Sequence, residues 1–353
     1  MKPIRILHII PSIEIGGAEK LLLNSIKLLR HCEHHVVTFK ADQALYRKFQ
    51  QVAAIHFIDS EILSLASWLS LRQHEKSLNP HIIHSHLLQT NWLSRLAFPL
   101  KKKLINSIHS PYGKDAFPYN KLSLWIERIT FNFSKVTLVF VSDYVKEDYN
   151  NFITLRRNHF VLNNFVPDYY FNVRPLIFEP KKPLKLVAVG NIKPLKNYKI
   201  LLDAFKEIKD LPISLDVYGE GAMFEQYKKE VENLHLSINF KGSIETMSEA
   251  LNNYHAFIFP SFYEGFSIAL LEAMAGGMPL ILSDIPMFKK LTKGNAIFFD
   301  PMDTQSCIDA IKVFWEKGFS KKVIEENKQI VIDNFSSEIY FTELLKVYKY
   351  FNE

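Results

Sequence analysis

The stretch Phe259-Pro-Ser-Phe-Tyr-Glu-Gly-Phe-Ser-Ile-Ala-Leu-Leu-Glu-Ala-Met-Ala-Gly-Gly-Met-Pro279 decides the fold. The apolar strand Ala256–Phe259 runs into a short loop, and a helix then extends to the pair Gly276-Gly277, which marks its end. Three apolar residues at helical spacing define the buried face of that helix: Ile268, Leu271 and Ala275. The pattern predicts a strand, a tight loop and a helix, the repeating unit of sheets covered by helices.

Two glutamates, Glu264 and Glu272, stand within this unit. Glu272 follows Ile268 by one helical turn and so falls on the apolar face, where a carboxylate is costly unless it has partners. The loop Gly265-Phe266-Ser267 presents backbone N–H groups at the positive end of the helix, which favours an anion. An anion at the helix start and a hydroxyl-rich group at Glu272 together describe a sugar nucleotide. The alternative is that Glu272 caps the helix or pairs with a neighbouring basic residue.

The pattern Pro-Ser-x-x-Glu-Gly-Phe-Ser-x-x-Leu-Leu-Glu-Ala-Met-Ala-x-Gly-x-Pro over residues 260–279 resembles the signature of the retaining glycosyltransferases of family 4. The resemblance is gap-free, whereas two glutamates eight residues apart would carry little by themselves. It implies the GT-B fold, an α/β architecture of two doubly wound Rossmann-like domains facing each other across a cleft. It also implies similarity to the enzymes of bacterial surface polysaccharide synthesis.

Composition sets bounds on the class of protein. A chain of 353 residues suits two domains, and 48% hydrophobic with 23% charged residues is typical of a folded chain. No run approaches the ~18 apolar residues of a membrane span, and the first residues lack a signal-peptide core. Cys32 and Cys307 stand alone, which indicates free thiols in a reducing compartment. We therefore expect a cytoplasmic protein.

The net charge of +6 fits anionic partners such as nucleoside diphosphates, lipid phosphates or a membrane face. A merely basic protein would show the same charge. No nucleic-acid partner is expected.

Short apolar runs alternate with helical patterns along the chain, which predicts parallel sheets. The predicted strands of the first half are Ile4–Ile10, His35–Phe39, Ile55–Asp59, Ile82–His86, Leu104–His109, Thr137–Ser142 and Phe160–Leu162. Those of the second half are Leu184–Val189, Ser214–Tyr218, Ile238–Phe240, Ala256–Phe259 and Leu280–Ser283.

The expected boundaries are an N-terminal acceptor-side domain over 1–165, a proline-rich linker over 166–183 and a C-terminal nucleotide-sugar domain over 184–335. The tail, about 336–353, has a helical apolar face. By resemblance it crosses back to the first domain, and the alternative is a helix of the second domain.

In the first domain, Gly16 and Gly17 lie between the first strand and the helix Leu21–Leu29. Glycine lets a backbone approach a ligand closely, and a helix start favours anions. The sequence Gly-Gly-Ala-Glu resembles the family loop that closes over the donor diphosphate and sugar. It lacks the Gly-x-Gly-x-x-Gly dinucleotide fingerprint.

Three histidines end predicted strands: His84, His86 and His109. A metal on His84 and His86 is conceivable, but no third ligand has a recognisable spacing, so no metal site is expected. By resemblance, His109 lies near the donor sugar and the reacting phosphate. The alternative is a structural hydrogen-bonding role.

In the second domain, Asn191, Lys193 and Lys196 follow the strand Leu184–Val189. The resemblance implies a basic pair on the diphosphate, with Lys196 as one member and Asn191 where relatives usually carry arginine. Lys193 is the candidate for the missing charge, or the site uses one cation. Solvated loop lysines are the alternative. By resemblance, Gly219 and Ile244 border the nucleotide base.

These observations predict a retaining hexosyltransferase. It would move a sugar from a nucleoside diphosphate sugar, UDP-sugar favoured over GDP-sugar, to a hydroxyl of a saccharide or lipid-linked saccharide. By resemblance, Glu272 binds the ribose, Glu264 holds the donor sugar, and the amides of residues 265–268 with Lys196 take the diphosphate. His109, Glu264 and Lys196 are the expected catalytic residues. No cofactor and no metal are expected, so activity should survive a chelator.

Two alternative functions share the expected fold. One is a sugar-nucleotide 2-epimerase, although those enzymes lack the Glu-Gly-Phe-Ser-x-x-Leu-Leu-Glu pattern. The other is a catalytically silent protein that binds a sugar nucleotide as a scaffold, for which Asn191 is the only hint.

A membrane contact is suggested by two segments. The stretch Trp92–Lys103 ends in three lysines, and Tyr119–Phe131 is aromatic and amphipathic. Segments of this kind can lie on an anionic membrane, here the inner face of the cell membrane, or can simply pack on their own sheet.

Overall fold

A computed structural model describes residues 3–41, 43–100, 103–112, 121–155 and 158–349. The chain divides into two compact units. The first unit comprises Met1–Asn164 with Ser337–Glu353, and the second comprises Phe165–Ser336.

The first unit is built on a seven-stranded parallel sheet in the order β3-β2-β1-β4-β5-β6-β7. Its strands are β1 (Arg5–Ile9), β2 (Glu33–Thr38), β3 (Ala54–Phe57), β4 (Ile82–His86), β5 (Leu104–Ile108), β6 (Thr137–Phe140) and β7 (His159–Val161). Its helices are α1 (Gly17–Leu28), α2 (Tyr46–Gln50), α3 (Leu65–Leu78), α4 (Leu88–Ala97), α5 (Lys121–Phe133), α6 (Asp143–Phe152) and, from the end of the chain, α14 (Ser337–Lys349).

The second unit is built on a six-stranded parallel sheet in the order β10-β9-β8-β11-β12-β13. Its strands are β8 (Leu184–Val189), β9 (Ile213–Tyr218), β10 (Ile238–Gly242), β11 (Ala256–Phe259), β12 (Leu280–Ser283) and β13 (Ile297–Phe299). Its helices are α7 (Tyr198–Glu207), α8 (Phe224–Asn233), α9 (Ser248–Leu251), α10 (Ile268–Ala275), α11 (Pro286–Thr292), α12 (Thr304–Lys317) and α13 (Lys321–Phe335).

The prediction of an α/β fold with two doubly wound Rossmann-like domains is confirmed by these sheets. In each sheet the strand order reverses once, between β1 and β4 in the first unit and between β8 and β11 in the second. The reversal opens a crevice at the carboxyl ends of the strands, which is where doubly wound domains bind ligands. The loops after these four strands are therefore the places to look for a site.

Two neighbouring strands of the second sheet, β11 and β12, are short and largely apolar, and both of their faces are buried. All four residues of β11 are buried, as are all four of β12, since helices cover both sides of a parallel sheet. One strand was missed from the sequence: β13 is only three residues long, lies at the sheet edge and is partly exposed.

Residues 166–183, expected as a linker, contact the second unit. A 3₁₀ helix spans Asp168–Asn172. The Leu176 N–H donates to the Tyr254 carbonyl at 2.9 Å, and the Phe178 ring lies 4.9 Å from that of Phe314. Most of this segment is therefore held by packing and hydrogen bonds of the second unit.

Helix α14 contacts α1 in the first unit. The hydroxyl groups of Ser25 and Tyr340 lie 2.8 Å apart, and Leu344 and Val347 are buried. The apolar face that the sequence pattern indicated is the face that packs.

A fully buried ion pair joins α4 to α5. Arg95 Nη1 lies 2.6 Å from Glu127 Oε1, and neither side chain is exposed. Glu127 also accepts hydrogen bonds from Trp92 at 2.5 Å and from Tyr149 at 2.7 Å. These donors satisfy the carboxylate, which makes its burial tolerable.

None of the described helices has the length and apolar character that spanning a membrane requires.

Candidate functional site

Glu264 and Lys196 are brought together at the crevice of the second sheet. Lys196 ends a 3₁₀ turn after β8, and Glu264 lies in the loop after β11. The Lys196 ammonium donates to Glu264 Oε1, and their side chains are 20% and 8% exposed. Lys196 Nζ also stands 5.1 Å from the centre of the Phe259 ring. Two predicted catalytic side chains thus form one sheltered ion pair.

Two serines, Ser261 and Ser283, fix the position of Glu264. Ser261 Oγ donates to Glu264 Oε1 at 2.8 Å, and Ser283 Oγ donates to the Ser261 carbonyl at 2.6 Å. Both serines are fully buried at the ends of β11 and β12. Ser261 stands in the quoted motif, so its signal was present, whereas nothing in the sequence connects Ser283 to the site.

Helix α10 begins as predicted. Ser267 is its N-cap, and its hydroxyl accepts from the Leu270 N–H at 3.2 Å. Residues 265 and 266 precede the cap and are half-buried, and Ile268 is the first helical residue. The first N–H groups of a helix have no acceptor within the helix and carry its positive end. This loop can therefore receive an anion beside Lys196.

Glu272 lies in the middle of α10 and is half-buried. Its surroundings are Tyr169 and Tyr170 of the 3₁₀ helix at 168–172. Burial, then the Glu272 charge and a hydrogen bond to Glu272, raise the pKa of Tyr170, and burial with the Glu272 charge raises the pKa of Tyr169 to about 12. Both hydroxyls thus stay neutral. The tyrosines were missed because they fall in the proline-rich segment expected as a linker.

The remaining second-unit residues surround the same end of the sheet. Asn191 and Lys193 are exposed in the loop after β8, and within the described part of the chain no ion pair involves Lys193. Gly219 directly follows β9, and its N–H donates to the Gly242 carbonyl at 2.8 Å. Ile244 is half-buried in the loop after β10.

In the first unit, Gly16 and Gly17 open α1, with Gly16 as the N-cap. Glu19, three residues after Gly16, is buried and folds back over it, so that a Cβ at position 16 would stand 2.3 Å from Glu19 Oε2. Burial raises the pKa of Glu19, and Ser12 donates to it at 3.5 Å. The absence of a side chain at position 16 is what lets this carboxylate lie at the helix start.

His109 follows β5 directly and is half-buried. Its ring centre lies 5.7 Å from that of His86, and burial lowers its pKa to about 4, so the imidazole is neutral near pH 7. His84 and His86 are both buried on β4, and the structure adds His8 to them. His8 is distant from this pair along the chain and comes close to it through the pairing of β1 with β4. The spacing of histidines in the sequence therefore indicated no third ligand.

Comparison with known proteins assigns both halves of the chain. Residues 172–331 match the family "Glycosyl transferases group 1", and residues 15–168 match "Glycosyltransferase Family 4". The protein EpsF of Bacillus subtilis is 24% identical over 322 residues, covering 79% of each chain. The O-antigen biosynthesis glycosyltransferase WclY of Escherichia coli is 22% identical over 361 residues, covering 98% of each chain.

Solved structures agree on the fold. Alr3699/HepE of Anabaena, crystallised with UDP-glucose, superposes with a TM-score of 0.83 at 15% identity, over 98% of this chain and 99% of that one. Similarity at this identity concerns the fold, which is GT-B in these neighbours. The two family matches together span most of the sequence and include the Lys196–Glu264 pair and α10. The first half of the chain therefore matches the glycosyltransferases of family 4, and the second half matches the group 1 glycosyltransferases.

Proposed function

We propose that the protein transfers a sugar from a nucleoside diphosphate sugar to a hydroxyl group of a saccharide or lipid-linked saccharide, with retention of anomeric configuration. The Lys196–Glu264 ion pair at the start of α10 carries this proposal. It puts a cation for a diphosphate next to a carboxylate for sugar hydroxyls. A UDP-sugar is favoured because Anabaena HepE was crystallised with UDP-glucose, and a GDP-sugar is the second choice. The O-antigen relative supports a saccharide acceptor.

In this proposal the donor is held by the second unit. Lys196 and the first N–H groups of α10 bind the diphosphate, and Lys193 adds a second charge where Asn191 offers only hydrogen bonds. To reach the diphosphate, Lys196 has to release Glu264, whose carboxylate then accepts from hydroxyls of the donor sugar. Glu272 accepts from the ribose hydroxyls.

The transfer step follows from these roles. The bond between the anomeric carbon and the diphosphate oxygen breaks, and the bond to the acceptor oxygen forms on the same face of the sugar. The acceptor proton passes to the departing phosphate oxygen. Lys196 gains interaction energy as charge develops on that oxygen, which lowers the barrier. Glu264 holds the sugar and forms no covalent bond to it, and His109 takes part as a neutral imidazole.

The diphosphate charge is carried by lysine and backbone N–H groups. We therefore expect transfer to proceed without added Mg²⁺ or Mn²⁺, the hard cations that usually accompany nucleotide phosphates. A rate that depends on either ion, and that saturates with its concentration, would contradict this part of the proposal.

The first experiment is a thermal-shift panel with UDP, GDP, ADP and their sugars on the wild type and on Glu272→Ala. A ligand at about 100 times its Kd stabilises the protein by about 2.7 kcal/mol. We expect one nucleotide family to raise the melting temperature of the wild type, and to raise that of Glu272→Ala much less. Asp309→Ala, at an exposed position of α12, is the matched control and should behave as the wild type.

The same panel separates the alternatives when it is followed by product analysis. A glycosylated acceptor with the donor's anomeric configuration supports the proposal. An altered sugar still attached to its nucleotide would identify an epimerase, and a tight donor complex without turnover would identify a silent scaffold. The named relatives do not favour the epimerase, since they are glycosyltransferases.

We further propose peripheral contact between the first unit and an anionic membrane. Exposed large apolar side chains lie on α4, on α5 and just after α4: Leu96, Leu100, Leu122, Trp125 and Phe133. The two helix ends are adjacent, because the Lys135 N–H donates to the Pro99 carbonyl at 2.8 Å. Lys103 follows α4 and Lys121 is the first residue of α5, while Lys101, Lys102 and Tyr119 lie outside the described residues. Exposed apolar and basic groups together are typical of interfacial helices.

Sedimentation with vesicles tests this contact. We expect the wild type to bind vesicles that contain anionic lipid and to bind neutral vesicles less. The double variant Leu122→Ser with Trp125→Ser should lose most of this binding, since both side chains are more than half exposed. Equal sedimentation of variant and wild type would contradict the assignment of this surface.

A further inference from the structure

Four histidines lie on one face of the first sheet. His8 of β1 pairs in register with His84 of β4, and His86 stands two residues further on the same face. His34 of β2 is paired with Ile6, two residues before His8, and therefore shares that face as well. Side chains alternate between the two faces of a strand, so these four lie on the same side of the sheet. Residues of α1 and α14 line the cavity around them.

Three of these histidines converge on one point. One ring nitrogen from each of His8, His84 and His86 lies within 4.8 Å of the other two. The His84 and His86 ring centres are 4.2 Å apart, and that of His8 stands 5.9 and 5.8 Å from them. All three side chains are buried, with at most 5% of the surface exposed.

The hydrogen-bond chain through His34 fixes the tautomer of His8. The Leu29 carbonyl only accepts, so His34 Nε2 donates to it at 3.0 Å. The neutral His34 ring then accepts at Nδ1 from His8 Nε2 at 3.1 Å. His8 Nδ1 is thereby left as an unprotonated lone pair, and in the described part of the chain it has no hydrogen-bond partner.

The other two rings can also offer lone pairs. Neither nitrogen of His86 has a hydrogen-bond partner among the described residues, although the ring is buried. His84 Nδ1 and Nε2 lie 2.9 and 2.8 Å from the hydroxyls of Tyr348 and Ser107, which can both donate and accept. Metals bind the neutral form of imidazole through such a lone pair.

We propose that His8, His84 and His86 form a zinc site in the first unit, with one coordination position left for a small ligand. Three imidazoles are a common ligand set for Zn²⁺. His34 and the Leu29 carbonyl act as the outer hydrogen-bond partners that orient His8, an arrangement typical of metal-binding histidines. The site shares no residue with those proposed to bind the diphosphate, and the inference does not rest on the proposed function.

Metal binding is measured without donor or acceptor, so its result is independent of transfer activity. Protein stripped with a chelator and dialysed is titrated with Zn²⁺ by calorimetry, and one equivalent per chain is expected to bind. His86→Ala should lower the affinity by far more than tenfold. His34→Leu, which removes only the outer partner, should lower it about 10- to 100-fold. His235→Ala, at an exposed histidine of the second unit, is the control and should leave the affinity unchanged.

A spectroscopic measurement on the wild type guards against variants that do not fold. Co²⁺ added to the stripped protein should give the intense visible absorption of a tetrahedral site, and Zn²⁺ should displace it. The weak spectrum of aqueous Co²⁺ would overturn the proposal. So would a Zn²⁺ affinity in folded His86→Ala that equals the wild-type value.

Discussion

The surroundings of the Lys196 side chain favour the anion-binding role that we propose for it. Its ammonium group is sheltered beside Glu264 and above the Phe259 ring. In these surroundings the charge is weakly hydrated, so a phosphate meets it at low desolvation cost. Lys193 on the same loop is exposed, so its charge is hydrated by solvent.

Replacing Lys196 with methionine tests this difference. We expect kcat to fall by about 10²- to 10³-fold, because the variant loses the group that we propose to stabilise charge on the leaving phosphate. Lys193→Met on the same loop is the matched control, and its kcat should fall by less than about tenfold. Similar losses of kcat in both variants would mean that the two lysines contribute equally. Pairing with Glu264 would then give Lys196 no additional role in catalysis.

The sequence alone predicted the positions of those candidate site residues that belong to one continuous motif. Glu264, Ser267 and Glu272 fall on the elements that the pattern predicted. The supporting groups Ser283 and Tyr170 come from other elements, and only the fold brings them near. His8 is the clearest case, because it stands inside an apolar strand and meets His84 through sheet register alone.

At the scale of elements, the loop after β9 has to pass very close to the loop after β8. Gly219 has φ +144°, and a Cβ there would lie 2.0 Å from the Gly190 carbonyl oxygen. This contact is with backbone, which cannot move aside as a flexible side chain could. Glycine at this position therefore holds together two of the loops expected to contact the donor.

Gly219→Ala should destabilise the second unit by about 1–3 kcal/mol from overpacking, in addition to backbone strain. Gly294→Ala is the control, since Gly294 also has positive φ, +87°, but among the described residues no atom would lie within 4 Å of a Cβ added there. Denaturant unfolding measures both variants. The prediction fails if Gly219→Ala costs no more free energy of unfolding than Gly294→Ala.

Four strands were predicted with the bounds that the structure gives them: Ile82–His86, Leu184–Val189, Ala256–Phe259 and Leu280–Ser283. In the last two, burial on both faces favours a run of apolar residues, which a sequence displays directly. Ile297–Phe299 was missed because three residues at a sheet edge give too short a pattern.

At the scale of the whole molecule, each unit has hydrophobic clusters among its described residues. One core lies around β8, β9 and α7 of the second unit, and others lie around the strands of the first. The first unit also includes α14 from the far end of the chain, with Leu344 1% exposed. No local pattern could assign α14 to either unit, because its apolar face would fit any complementary surface.

Matched core truncations in the two units test their independence. Leu344→Ala in the first unit and Leu201→Ala in the second should each cost about 2–5 kcal/mol, since both side chains are almost fully buried. Hydrogen exchange should accelerate mainly in the unit that carries the change. Equal acceleration in both units for either variant would show that the chain opens as one cooperative body.

The ion pair of Lys196 with Glu264 has a consequence for turnover. Each partner satisfies the other in the free protein, so a ligand that draws away only one of them leaves the other short of a counter-charge. In the proposed reaction, an intact sugar nucleotide would compensate both at once, with phosphate for the lysine and hydroxyls for the glutamate. Once the sugar has left, the nucleoside diphosphate would compensate only the lysine. Re-forming the ion pair would then help to expel the spent nucleotide and reset the site for the next donor.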